Sequence, residues 1–241
     1  MVLGLGGAFG LNEIALRRQV TPEIAPRDLV VGGAGAFATI GEALQQARDG
    51  DVVRVEPGRY AEALELRRDV TLLSTQPHGA VLTVPAGEKA WASVTVWSVK
   101  SELRGFRIVN TASAGHVGVR VHTGDVDIDA VAFDGPLEIG VDAVGDGSRV
   151  TVRGSRFTGI TGIPVKAADR THVALRQNLF RAPAGSRGPA VSAHSAAGVS
   201  LDANVFMHFA GAPVAVATGA AVILDPSFVI APPAPARRRA R

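Results

Sequence analysis

Arg120, Asp142 and Lys166 recur at nearly even spacing in the middle of the chain, and Ser192 follows in the same series. They stand in or directly after short apolar alternations: Val119-Arg120-Val121, Ile139-Gly-Val141, Ile163-Pro-Val165 and Val191-Ser192-Ala193. Period-two alternation puts the apolar neighbours on one face of a strand and the four polar residues on the other. An Arg, an Asp and a Lys on one exposed face can withdraw a proton beside an acidic group or grip that group through charged hydrogen bonds. The order of signs, plus, minus, plus, also makes them a ladder of stacked ion pairs that needs no ligand. His116 and His122 lie nearby, in segments read as solvated turns; His122 joins Arg120, Asp142 and Lys166 as a candidate ligand-binding residue.

A second group is the run Asp125-x-Asp127-x-Asp129. Val126 and Ile128 point inward, so the three carboxylates share the outer face. Such a set can offer oxygens to calcium. One repeat away, however, Asp129 aligns with Arg104 and Arg153, and Asp125 with Arg149. Stacked opposite charges explain the run as ladder pairs, and this reading is preferred over a metal site. Asp142 and Asp146 can approach one another, but Asp146-Gly147 reads as a turn.

Other chemistries lack their motifs. The sequence carries no Gly-x-Ser-x-Gly, His-Glu-x-x-His or phosphate-binding loop, and no kinase His-Arg-Asp or Asp-Phe-Gly. There is no cysteine, which excludes disulfides, zinc-thiolate sites and thiol catalysis. Gly33-Ala-Gly35-Ala-Phe-Ala38 fits the glycine-rich dinucleotide fingerprint, after a strand and before a helix. That reading fails on context, because no second amphipathic helix comes after Gly50. No cofactor is expected.

The elements that must position these residues form a repeat. Val126-x-Ile128-x4-Phe133 returns as Val150-x-Val152-x4-Phe157, Val173-x-Leu175-x4-Phe180 and Val199-x-Leu201-x4-Phe206, with Phe steps of 24, 23 and 26 residues. A fainter copy runs from Ser101-x-Leu103 to Ile108. A fixed period in this range signals stacked repeats. Each repeat holds three short strands, a tight corner such as Gln177-Asn178, and no helix. The fold class is therefore all-β: a right-handed parallel β-helix with three strands per coil and one N-terminal capping helix. Coils pair about 4.8 Å apart, and the apolar columns stack into one core.

The helix is expected over 39–49. Thr39-Ile40-Gly41-Glu42 is a capping box, Ile40, Ala43, Leu44 and Ala47 form one stripe, and Gly50 is read as the stop. It would block the open end of the solenoid. Pro57-Gly58-Arg59-Tyr60 is read as a turn, and 75–92 as a looser segment with a loop around Pro85. Residues 1–27 are expected to be a poorly ordered leader or a membrane-proximal remnant of a longer parent; the apolar start falls short of the ~20 residues a span needs and shows no signal-peptide pattern. The β-helix domain is expected over 28–228. A disordered Pro/Ala/Arg tail, 229–241, holds much of the small net charge of +3. No nucleic-acid surface is read from the body of the chain.

The stretch Phe37-Ala-Thr-Ile-Gly-Glu-Ala-Leu, continued in Asp49-Gly-Asp-Val-Val-Arg-Val-Glu-Pro-Gly-Arg-Tyr60-x-Glu62, resembles the N-terminal cap and first coil of pectate-lyase-like right-handed β-helix proteins. Leu103-Arg-Gly-Phe106-Arg-Ile108, Asn178-x-Phe180 and Asn204-x-Phe206 resemble later coils of that family. The resemblance is nearest to β-helix regions attached to bacterial membrane-bound serine/threonine kinases, outside the kinase fold. It implies an Asn ladder at the second corner and a sugar-binding groove on the sheet that bears Arg120, Asp142 and Lys166. The function expected is a non-catalytic, extracytoplasmic binding or scaffold domain with carbohydrate as ligand. The alternatives are a polysaccharide lyase or hydrolase acting on acidic sugars, and a purely structural spacer or docking module. Binding calls for exposed aromatics in a groove, for which Trp91, Trp97 and Phe209 are the candidates.

Overall fold

The computed structural model describes residues 25–83, 91–110, 115–224 and the backbone of 229–231. Every strand pairing among them is parallel, and the strands fall into sheets of nine, seven and eight. The chain visits the sheets in rotation. Within one coil, Val117–Val121 belongs to the seven-stranded sheet, Asp125–Asp129 to the nine-stranded sheet and Ala132–Asp134 to the eight-stranded sheet. Ile139–Ala143 then returns to the first of these and pairs with Val117–Val121. This is a right-handed parallel β-helix of about eight turns.

The register matches the sequence columns. Val126, Val150, Val173 and Val199 stack in one row, with Ser101 ahead of them, and Ile128, Val152, Leu175 and Leu201 in a second, with Leu103 ahead. Phe133, Phe157, Phe180 and Phe206 form a third row behind Ile108. Their rings are near-parallel, with successive centroids 4.6, 4.8 and 4.8 Å apart. All four are fully buried. The coil spacing and the stacking distance of aromatic rings coincide, so one Phe per coil gives both burial and ring contact.

The Phe column constrains the seven-stranded sheet behind it. A Cβ on Gly140 would meet the Phe157 ring at 2.8 Å and the Pro164 carbonyl oxygen at 2.5 Å. Gly118 stands in the same relation to Phe133, at 2.9 Å. Any side chain there would displace a stacked ring.

The corner between the nine- and eight-stranded sheets turns through one left-handed residue: Gly105, Ala130, Gly154, Gln177 or Ala203. The next position is inward and polar in the later coils. Asn178 Nδ2 donates to the Val152 carbonyl at 2.8 Å and to Asn204 Oδ1 at 3.0 Å, and Asn204 Nδ2 donates to the Leu175 carbonyl at 2.7 Å. The Ser155 amide donates to Asn178 Oδ1. The amide ladder thus satisfies buried main-chain groups that the corner would otherwise leave open.

The helix is Ile40–Gln46, shorter than the expected 39–49. Its capping box is present, with the Glu42 amide donating to Thr39 Oγ1 at 3.1 Å and the Thr39 amide to the Glu42 carboxylate at 3.2 Å. The backbone is already extended at Ala47, so Gly50 does not stop the helix; with φ at +89° it turns the chain into Val52–Val55. The helix packs on Asp28–Val31, Val52–Val55 and Leu64–Leu66, the first strands of two sheets. Glu62 fixes it there by accepting from the Ile40 and Gly41 amides at 3.1 and 2.8 Å. That carboxylate occupies the helix start where a dinucleotide phosphate would sit. Asp28–Val31 and Val52–Val55 do pair in parallel across the helix, so the fingerprint's local unit exists. Beyond Val55 the described strands join the solenoid sheets, with no second helix among them.

Two further expectations change. Gly58–Ala61 is a strand of the eight-stranded sheet rather than a turn, with Tyr60 inward and its hydroxyl donating to the Glu56 carbonyl at 2.8 Å. The corner is completed at Pro57, so the residues after it extend at once. Val229–Ala231 is also a strand, paired with Val205–Met207, inside the segment expected to be tail. Residues 1–24, 84–90 and 232–241, including the Pro85 loop and the terminal arginines, lie outside the described residues.

Candidate functional site

The seven-stranded sheet carries an outward column that begins two coils earlier than the sequence pattern reveals. Glu65 pairs with Thr95, Thr95 with Arg120, Arg120 with Asp142, Asp142 with Lys166 and Lys166 with Ser192. Arg120, Asp142 and Lys166 are therefore stacked on consecutive coils. Arg120 Nη1 lies 3.6 Å from Asp142 Oδ2, and Lys166 Nζ lies 4.0 Å from Asp142 Oδ1.

The alternation puts Asp142 on the exposed face, yet the structure buries it. Its side chain is 3% exposed, while those of Arg120 and Lys166 are 31% and 35% exposed. The two long cations lean over the short carboxylate from either side and shut it from water. Asp142 Oδ1 and Arg120 Nε have no hydrogen-bond partner. The carboxylate is held by charge rather than by hydrogen bonds, and a reacting atom has no open approach to it.

Trp97 and His122 occupy the next outward positions on neighbouring coils, where the His122 amide donates to the Val96 carbonyl. Their rings are parallel with centroids 3.9 Å apart. Burial pushes the His122 imidazole below its usual pKa, the Arg120 cation adds to that, and Asp142 opposes it. With Trp91, Ala63, Leu64, Glu65, Thr95 and Arg120 these rings line a groove of about 690 Å³. Trp91 is 76% exposed and Trp97 43%. A neighbouring cavity of about 640 Å³ shares Ala63, Leu64 and Glu65 and runs on to Leu44 and Gln45 of the helix and to Arg67 and Arg68. Phe209, the third aromatic candidate, is buried edge-on against Phe206, with centroids 6.2 Å apart.

The structure thus brings together all four candidate residues, Arg120, Asp142, Lys166 and His122, and adds Trp91 and Trp97. Sequence reasoning missed Glu65. Leu64-x-Leu66 carried the alternation, but the long excursion before Ala92–Val96 breaks the repeat spacing that would have aligned it. It also missed two histidine contacts: His116 Nε2 lies 3.1 Å from Ser93 Oγ, buried, and His194 Nε2 lies 2.6 Å from Ser192 Oγ.

The acidic run sits on the nine-stranded sheet. Asp129 lies 3.3 Å from Arg104 Nε and 3.1 Å from Arg153 Nη2, and Asp125 3.7 Å from Arg149 Nη1. Asp127 stacks between Glu102 and Thr151. Among the described residues no group of three or more His, Asp or Glu is arranged to hold a metal ion. Asp146 pairs with Arg170.

No family model and no curated protein sequence matches the chain. Solved structures match its fold. A pectin methylesterase from Aspergillus niger is 16% identical, with 84% of this chain and 85% of that one covered, at a TM-score of 0.58. A pectin methylesterase from carrot is 13% identical over 87% and 89%, at 0.56. A PL6 family alginate lyase is 14% identical over 90% of this chain and 42% of its own length, at 0.54. All are parallel β-helix proteins, and at these identities the likeness is one of fold.

Proposed function

We propose that this chain is a non-catalytic carbohydrate-binding domain whose groove on the seven-stranded sheet takes acidic polysaccharide. One observation carries the reading: two exposed tryptophans stand beside Arg120 and His122 in an open groove, while Asp142, the acidic residue of the Arg120–Lys166 ladder, is buried under two cations. Flat aromatic faces hold the apolar faces of pyranose rings, and a guanidinium holds a carboxylate through paired hydrogen bonds. A general acid or base must reach its proton, and Asp142 is covered. Glu65, also on this face, is half-exposed and engaged by Arg67 Nε at 2.8 Å.

The second reading is an enzyme on acidic sugars, a lyase or hydrolase. The pectin- and alginate-active neighbours favour it. A plain spacer or docking module is the third, and exposed Trp91 and Trp97 count against it. The resemblance to β-helix regions attached to bacterial membrane-bound kinases supports a role as an extracytoplasmic sensor or scaffold region of a larger, membrane-attached protein.

The test is calorimetric binding of oligogalacturonate and alginate oligosaccharides, run beside assays for unsaturated ends, reducing ends and methanol on the same sugars and on methylated pectin. Saturable binding with no product is the expected result. Turnover that disappears in Asp142→Asn would establish the enzyme reading instead.

A further inference from the structure

The outward column of the groove sheet alternates in charge over three consecutive coils. In coil order it reads Glu65, Thr95, Arg120, Asp142, Lys166, Ser192. Two cations stand two coils apart, about 9.6 Å along the solenoid axis, with a carboxylate on the coil between them. An extended disaccharide of pyranoses has about that length, so one sugar spans about one coil.

We infer that the groove is built for a polysaccharide in which acidic and neutral sugars alternate, one acidic group per disaccharide, rather than for a uniform polyuronate. This deepens the reading of the groove as an acidic-glycan site and rests on it.

Electrostatic register sets the preference. Arg120 and Lys166 each keep about a third of the side chain exposed, so each can take a ligand carboxylate on its outer side. A chain with an acidic group on every second sugar places one group at each cation. Its neutral sugar then lies over Asp142. A chain with an acidic group on every sugar must place one of them over Asp142. That carboxylate is buried, but its neutralisation is incomplete: the cations stand 3.6 and 4.0 Å away, and Oδ1 accepts no hydrogen bond. Asp142 and Lys166 continue the groove's outer face along the same sheet beyond Arg120, and a like charge held above the carboxylate there is unfavourable. Glu65 stands two coils before Arg120 with its carboxylate paired to Arg67 at 2.8 Å, and it takes no part in this selection. Trp97 and His122 add a flat apolar platform suited to a sugar ring of either kind.

The experiment compares two hexasaccharides of equal length by calorimetry at one fixed salt concentration: a hyaluronan hexamer, with an acid on alternate sugars, and hexagalacturonate, with an acid on every sugar. Simple attraction of charge favours hexagalacturonate, which has twice the charge. Register favours the hyaluronan hexamer, by about tenfold or more. Lys166→Ala, at a part-exposed position outside the core, should weaken the hyaluronan hexamer by about tenfold and remove the preference. Equal or tighter binding of hexagalacturonate overturns the inference and leaves the acidic-glycan reading standing. So does a Lys166→Ala variant that keeps the wild-type preference. Binding of neither sugar overturns both.

Discussion

The Trp97 indole and the His122 imidazole lie face to face, 3.9 Å between centroids and parallel, on adjacent coils of the groove sheet. The pair makes His122 part of the groove wall instead of a solvated turn residue. Burial, and then Arg120, hold its pKa below the usual value. A lowered histidine pKa means that the unfolded chain takes up a proton before the folded one does. The contribution of His122 to stability is thus intact above its unfolded value near pH 6.5 and falls as pH drops below that value. His122→Gln should flatten the change in melting temperature between about pH 7 and pH 5, a window set by that value. An unchanged slope would mean that the ring titrates as a free imidazole.

Gly140 lets Phe157 stack. Gly140→Ala is expected to cost about 1–3 kcal/mol, the usual range for overpacking, because its Cβ would meet both a ring and a carbonyl oxygen. Phe157→Ala should cost about 3–5 kcal/mol, as a large-to-small core change does. The two changes touch one contact, so the double variant should lose less than the sum. Denaturant melts of the three variants measure this, and strict additivity would refute the coupling.

Asn178 serves three main-chain or side-chain partners from inside the second corner. Asn178→Ala leaves the Val152 carbonyl and the Ser155 amide without their partner and should cost about 1–3 kcal/mol. Asn178→Asp removes the donor as well as adding a buried charge, and should cost more. Equal stability of the two variants would argue against the amide ladder.

Asp51 ties the first strand to the coil above it. Its carboxylate is held at about 2, first by the Arg27 guanidinium, against burial, with the Arg48 and Arg27 amides assisting. The main-chain bonds are 2.8 and 2.9 Å long. A depressed carboxylate pKa contributes stability above the unfolded value, and that contribution is lost as pH falls through the folded value. Between about pH 4 and pH 2 the melting temperature of the wild type should therefore fall more steeply than that of Asp51→Asn, which should melt lower at neutral pH. Parallel acid limbs would contradict the pairing.

The fold was legible because a β-helix writes its register into the chain. One Phe per coil at steps of 23 to 26 residues fixes which strands stack, and alternation fixes which side chains face out. The column Arg120–Asp142–Lys166 came directly from that register. The burial of Asp142 did not, because outward-facing implies exposed only when the neighbours are short, and here they are an arginine and a lysine. The Trp97–His122 platform was hidden for a related reason: pairing across coils brings together residues 25 apart in sequence, just past a span that breaks the repeat. Glu65 was lost to the same break.

The chain has two tryptophans, and both line the groove, so tryptophan fluorescence, excited at the red edge where Tyr60 does not absorb, reports on the site. The most direct measurement is a fluorescence titration of the intact chain with an acidic hexasaccharide, with product assays on the same sample. A saturable change that is lost in Trp97→Ala and weakened in Arg120→Ala, with no product formed, is the result expected of a non-catalytic acidic-glycan groove. Fluorescence that stays flat up to millimolar sugar, or sugar consumed as the titration proceeds, would contradict it.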